Sequence, residues 1–110
     1  MPTQDARPQL EEIASRLEDI LTLTEGLEQP EFARSRITRQ EVYRQLQAAA
    51  TDVCQLSSVV RETLAELDFG AWQKLRTELA ENQGDPTGAC WSALLQLVPD
   101  TLSWLRVHGS

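Results

Sequence analysis

Residues 76–83, RTELAENQ, gather the chain's candidate chemistry: a cation at Arg76, a carboxylate at Glu81 and an amide at Gln83. A carboxylate can accept a proton, but it is a poor acid at neutrality unless strongly desolvated, and it sets negative charge beside any phosphodiester. Arg76 alone is a weak signal, since a single helix arginine usually serves a surface or an ion pair. The one histidine, His108, is expected in a frayed tail. The one tyrosine, Tyr43, reads as a core or interface residue, and Trp72, Trp91 and Trp104 read as packing residues rather than nucleobase platforms. The pairs Glu11/Glu12 and Glu78/Glu81 lack a histidine or a third acid at helical spacing, so a solvated face is expected there, with no metal site. Cys54 and Cys90 have apolar neighbours and no CxxC spacing, the pattern of buried free thiols. No cofactor is expected.

A chain of 110 residues makes one domain. At that size it buries roughly 65% of its unfolded surface, enough to fold with little margin. The net charge of −7, from ten basic and seventeen acidic residues, disfavours RNA, whose affinity comes largely from Lys and Arg on phosphates. The densest basic stretch is Arg34, Arg36, Arg39 and Arg44, interrupted by Glu41, and it reads as a solvated helix start. No charged-then-apolar leader follows Met1, and no apolar run approaches roughly 18 residues. A soluble, cytoplasmic protein is the expectation, with no membrane partner.

These residues must be positioned by helices. After a disordered tail at 1–7, apolar residues at Leu10, Ile13, Ala14, Leu17, Ile20 and Leu21 repeat at three–four spacing, between Pro8 and Gly26. A short connector carrying Pro30 and Phe32 follows, with room for one helical turn. Thr38 and Glu41 have capping-box spacing and Ile37 and Val42 that of a hydrophobic staple. The stripe Val42, Leu46, Ala49, Val53, Leu56, Val60, Leu64 predicts one long second helix. Asp68 can cap a third helix bearing Phe69, Trp72, Leu75 and Leu79. Asp85-Pro86 starts a fourth, with Trp91, Leu94, Leu95, Val98, Leu102 and Leu105 on one face and a kink or break at Pro99. The expected architecture is all-α: an up-and-down four-helix bundle over 8–107, with helices near 8–25, 38–65, 69–81 and 86–107. Its expected core includes Leu17, Leu21, Leu46, Val53, Leu56, Leu75, Trp91, Leu95 and Val98.

From Leu23 to Leu105 the chain resembles the HepT-like branch of the HEPN superfamily, the ribonuclease toxins of prokaryotic HEPN/MNT toxin–antitoxin pairs. The segment ILTLTEGLEQPEF, Ile20 to Phe32, is similar to the family's first-helix end and phenylalanine-bearing connector. Thr38 to Leu46 resembles its long second helix. Phe69 stands seven before Arg76, where the family usually has tryptophan, and Trp91, Leu95, Val98 and Pro99 resemble its last helix. The family's signature is Arg-x-x-x-x-His-x-Tyr. Arg76 matches the arginine, but the histidine position falls on Glu81 and the tyrosine position on Gln83. The family's Gly-Glu-Ala is replaced by roughly Ala50-Thr51-Asp52.

In the family the arginine and histidine pair across a dimer interface and cut RNA without metal, the histidine moving protons and the arginine stabilising phosphorane-like charge. The tyrosine is what the nucleotidyltransferase antitoxins adenylylate, and Gln83 has no acceptor hydroxyl. The resemblance, with these losses, implies a degenerate member: a non-catalytic helical protein acting as a homodimer or through a partner of the nucleotidyltransferase type. Two alternatives stay open, a residual ribonuclease toxin and an unrelated helical interaction module. The missing histidine argues against the first. The ordered matches at Phe32, Phe69, Arg76, Trp91 and Pro99 argue against the second.

Overall fold

The computed structural model describes residues 7–64, 66–81 and 87–108, and every regular element among them is helical. α1 spans Arg7–Thr24, α2 Gln29–Arg34, α3 Arg36–Cys54, α4 Ser58–Thr63, α5 Phe69–Glu81 and α6 Thr87–Ser92. A π-helical segment, Ala93–Leu97, joins α6 to α7, Val98–His108. The tail at 1–6 and the Asp85-Pro86 start lie outside the described residues.

α1 has Pro8 in its first turn, where a missing N–H leaves no bond unmade, and it ends before Gly26, whose φ of 79° is open to glycine without a Cβ clash. Its face of Leu10, Ile13, Ala14, Leu17 and Ile20 is buried, and Leu21 is half-buried beside it. Each fully buried Leu or Ile contributes roughly 1.5–3 kcal/mol, so this face, more than helix propensity, holds α1. α1 runs antiparallel to α3: Arg16 meets Gln45, while Gln9 and Glu12 sit beside Gln55 and Asp52. α5 ends at Glu81 and α6 begins at Thr87, yet Trp72 meets Thr101, so α5 and the last helix are antiparallel as well. α7 packs back on α1. One apolar cluster links all of these elements.

Several local expectations need correction. The long second helix is two: α3 ends at Cys54 and α4 begins at Ser58. The stripe still faces inward, with Val42, Leu46, Ala49, Val53, Leu56 and Leu64 buried, so the hydrophobic pattern was compatible with a break. Polar groups make that break. Ser57 Oγ accepts from the Val60 amide at 3.2 Å, starting a new helix, and the Arg61 guanidinium donates to the Cys54 carbonyl at the end of α3. Arg61 also lies 5.5 Å over the Phe69 ring.

α3 is capped by Ser35 rather than Thr38. Ser35 Oγ accepts from the Thr38 amide at 3.4 Å and donates to the Thr38 hydroxyl at 2.8 Å. Glu41 turns to Arg44 instead of reaching back, with contacts of 2.5 and 2.7 Å. The staple does not form, since Ile37 is 83% exposed and Val42 is buried. In the connector, Glu31 Oε1 accepts from the Glu28 amide at 3.1 Å, closing α2 around the buried Phe32. Asp68 caps α5 as expected, Oδ1 accepting from the Ala71 amide at 2.9 Å.

Pro99 interrupts the last α-helix, as expected, but through the π segment that precedes it. Proline has no N–H and its ring crowds the carbonyl four residues back; the wider turn relieves both, and Val98 donates to the Ala93 carbonyl. The buried face of this stretch is Cys90, Leu94, Val98, Thr101 and Leu105, and Leu95, an expected core residue, lies off it and is 65% exposed. Trp91 is half-buried, its ring centroid 5.4 Å from that of Phe32.

Candidate functional site

The motif residues ride on α5, which Trp72, Leu75 and Leu79 bury against the core. At about 100° per residue, Arg76 and Glu81 project roughly 140° apart around the helix. Arg76 lies on one flank, and Glu81 on the other with Lys74 and Glu78. Both Arg76 and Glu81 are exposed, and neither forms an ion pair with a described residue. Gln83 lies outside the described residues. Position 108 is helical backbone at the end of α7 rather than a frayed tail, and the His108 side chain lies outside the described set. Among the described residues of one chain, Arg76 and Glu81 are thus not brought together.

Tyr43 ties α3 to this helix, its hydroxyl donating to the Leu79 carbonyl at 3.2 Å. The bond uses a backbone acceptor within α5 and fixes the tyrosine as a strut. Trp72 is fully buried and donates to Thr101 Oγ1 at 3.0 Å, and Trp104 donates to Glu66 at 3.3 Å. The three tryptophans therefore serve packing and cross-helix bonds.

Beside α5 runs an open groove of about 730 Å³, between α5 and the α6–π–α7 helix. Leu75, Ala71, Ala93 and Leu97 form its apolar floor, and Arg76 does not line it. Asp68, Glu78 and Asp100 stand on its rim against Lys74. A groove of this sign repels a phosphodiester and attracts cations.

A polar cluster that sequence reasoning missed lies between α1 and α3. Arg16 donates to Gln45 Oε1 at 3.0 Å and sits 3.6 Å from Asp52 and 3.7 Å from Glu12. Burial pushes the Asp52 carboxyl up, Arg16 draws it back down, and Glu12 adds to the rise. The α1 sequence carried no signal for it: Arg16 already has Glu12 one turn away, and Asp52 comes opposite only through the antiparallel packing of α1 on α3. Asp52 thus joins two helices. Arg34 and Arg36 of the basic stretch are exposed, while Arg44 is held by Glu41, whose carboxyl is lowered chiefly by that hydrogen bond.

Cys90 is buried at the foot of α6, and desolvation raises its thiol to about 11; Cys54 is half-buried and free. Among the described residues no cluster of three or more His, Cys, Asp or Glu could hold a metal ion, and no helix is long and apolar enough to cross a membrane. The chain matches no protein-family model, no curated protein and no solved structure.

Proposed function

We propose that this chain is a non-catalytic, HEPN-like helical protein, an up-and-down four-helix bundle that acts by homodimerisation or by binding a protein partner of the nucleotidyltransferase type. The observation that carries the non-catalytic reading is the residue at the proton-carrier position, an exposed carboxylate at Glu81 where the reaction needs a group that can both take and give a proton near neutrality. A second copy of the chain would bring the same carboxylate, and no imidazole, to Arg76. Phosphodiester cleavage by a 2′-hydroxyl needs a proton carrier beside the cation. The acidic groove on the flank of α5 away from Arg76 offers no phosphate site. The antiparallel pairings of α1 with α3 and of α5 with the last helix support the bundle. The exposed Leu95 and half-buried Trp91 and Leu102 on the last helix support a protein contact there.

The purified chain is expected not to cleave RNA at neutral pH, because losing a general acid–base typically costs ~10²–10⁴-fold and the surface charge weakens substrate capture. Robust metal-free cleavage abolished by Arg76→Ala would replace this reading with the residual ribonuclease. Activity gained by Glu81→His with Gln83→Tyr would support descent from an active site. Sedimentation is expected to give a dimer at micromolar concentration, and a monomer near 12.4 kDa contradicts the self-association.

A further inference from the structure

We infer that the groove between α5 and the α6–π–α7 helix is a docking site for a cationic amphipathic helix from another protein. This rests on the reading above only in that the chain works through a protein partner; the groove is a separate surface from the Leu95 face, and its chemistry specifies its own occupant. The groove follows α5 from Asp68 to Glu78, a span of roughly 15 Å at 1.5 Å per residue, or about three helical turns. Its volume of about 730 Å³ exceeds what a few ordered waters fill. Its floor is small and apolar, with Ala71, Ala89 and Ala93 around Leu75 and Leu97, so a helix backbone can approach closely. Gly88 adds to this: a Cβ built there meets nothing within 4 Å.

Charge selects the occupant. The rim sets three carboxylates, Asp68, Glu78 and Asp100, against the single ammonium of Lys74. Asp68 is fixed in place by its bond to the Ala71 amide, and Asp100 is exposed at the start of α7. An occupant with apolar residues at i, i+3, i+4 and i+7, flanked by Lys or Arg, satisfies floor and rim together. A second copy bound groove to groove would face acid with acid, on a chain whose net charge is already −7. An RNA strand would meet the same repulsion.

The test uses the whole chain, isotope-labelled, titrated with a twelve-residue stapled helix of Leu and Ala on one face and Lys on the other. Its counterpart carries Glu in place of Lys. Amide shifts are expected at Ala71, Leu75, Ala93 and Leu97 with the lysine helix alone, and the affinity should fall with added salt. Asp100→Lys, at an exposed helical site, is expected to weaken binding ~3–10-fold by reversing one rim charge. Ser92→Trp, also exposed, is expected to block the groove sterically while leaving the helical spectrum unchanged. Shifts spread over the acidic surface, equal binding of the glutamate helix, or indifference to both variants would overturn the assignment. Self-association lost in both Asp100→Lys and Arg36→Glu would overturn it in favour of a second copy, which offers its own Arg36-Ile37 stretch. A monomeric chain that still takes the lysine helix refutes the dimer and keeps the groove; a dimer that does not take it refutes the groove alone.

Discussion

Thr101→Val isolates the contact that fastens the motif-bearing helix to the last one. Thr101 is 3% exposed, Trp72 is fully buried, and the indole N–H donates to the Thr101 hydroxyl at 3.0 Å. Valine keeps the shape and the β-branching but removes the acceptor, leaving the indole N–H unpaired away from water. An unsatisfied buried donor costs about 1–3 kcal/mol, several times what a surface change does. Thr101→Ser retains the acceptor and loses one methyl, a cost of about 1 kcal/mol. The two variants therefore separate bond from volume. At about 4–8 °C per kcal/mol for a small domain, Thr101→Val should lower Tm by roughly 4–24 °C. Urea unfolding followed by helical circular dichroism measures both, and the denaturant slope should stay constant. Trp72→Phe alone and combined with Thr101→Val completes a cycle, whose coupling energy should be clearly non-zero. A Thr101→Val cost below about 0.5 kcal/mol at unchanged slope refutes the reasoning, because the indole would then have water or another acceptor.

Neighbouring leucines report the helix phase: Leu94→Ala should cost about 2–5 kcal/mol, whereas Leu95→Ala should stay within about 0.5 kcal/mol of wild type by the same unfolding assay. Ser35→Ala should cost about 1 kcal/mol and more than Thr38→Ala, since Ser35 holds the cap of α3. Cys90 should resist alkylation in the folded chain at pH 8 while Cys54 labels first, as seen by mass spectrometry. Its raised thiol also predicts a pH effect of definite sign. The folded chain holds this proton more tightly, so the contribution is fully present below 9.0 and is lost as pH climbs towards about 11. The loss is about 2 kcal/mol, and Cys90→Ser should flatten the decline.

Much of the helical content was legible because it depends on apolar periodicity and on caps with a local partner. α1 and α5 fall close to their expected limits, and Asp68 bonds the amide it was expected to bond. What the sequence hid depends on competition between neighbouring polar groups. Leu56, Val60 and Leu64 continue the α3 stripe, so periodicity gave no sign of the break; Ser57 and Arg61 decide it by capping and by satisfying a carbonyl. Ser35 outcompetes Thr38 three residues away with the same chemistry. Leu95 fails for a different reason: it neighbours Leu94, and apolarity alone does not say which of two adjacent leucines joins the buried face of Cys90, Leu94, Val98, Thr101 and Leu105. At the candidate site the residue types were readable, but their separation around α5 needed the buried face to be known first.

The return of α7 onto α1 sets an order of events during synthesis. Contacts between α1 and α3, and between α3 and α5, join stretches that leave the ribosome soon after one another, whereas α7 follows α1 by most of the chain. Loop closure across that distance is entropically the most demanding, so it comes late. Until residues beyond Val98 have emerged, the surface of α1 that α7 covers stays open to water and to any chaperone that binds apolar helix faces. A nascent chain of which only the residues before Val98 had emerged would carry α1, α3 and α5 and still lack its closing strap, with Glu18 waiting for Arg106.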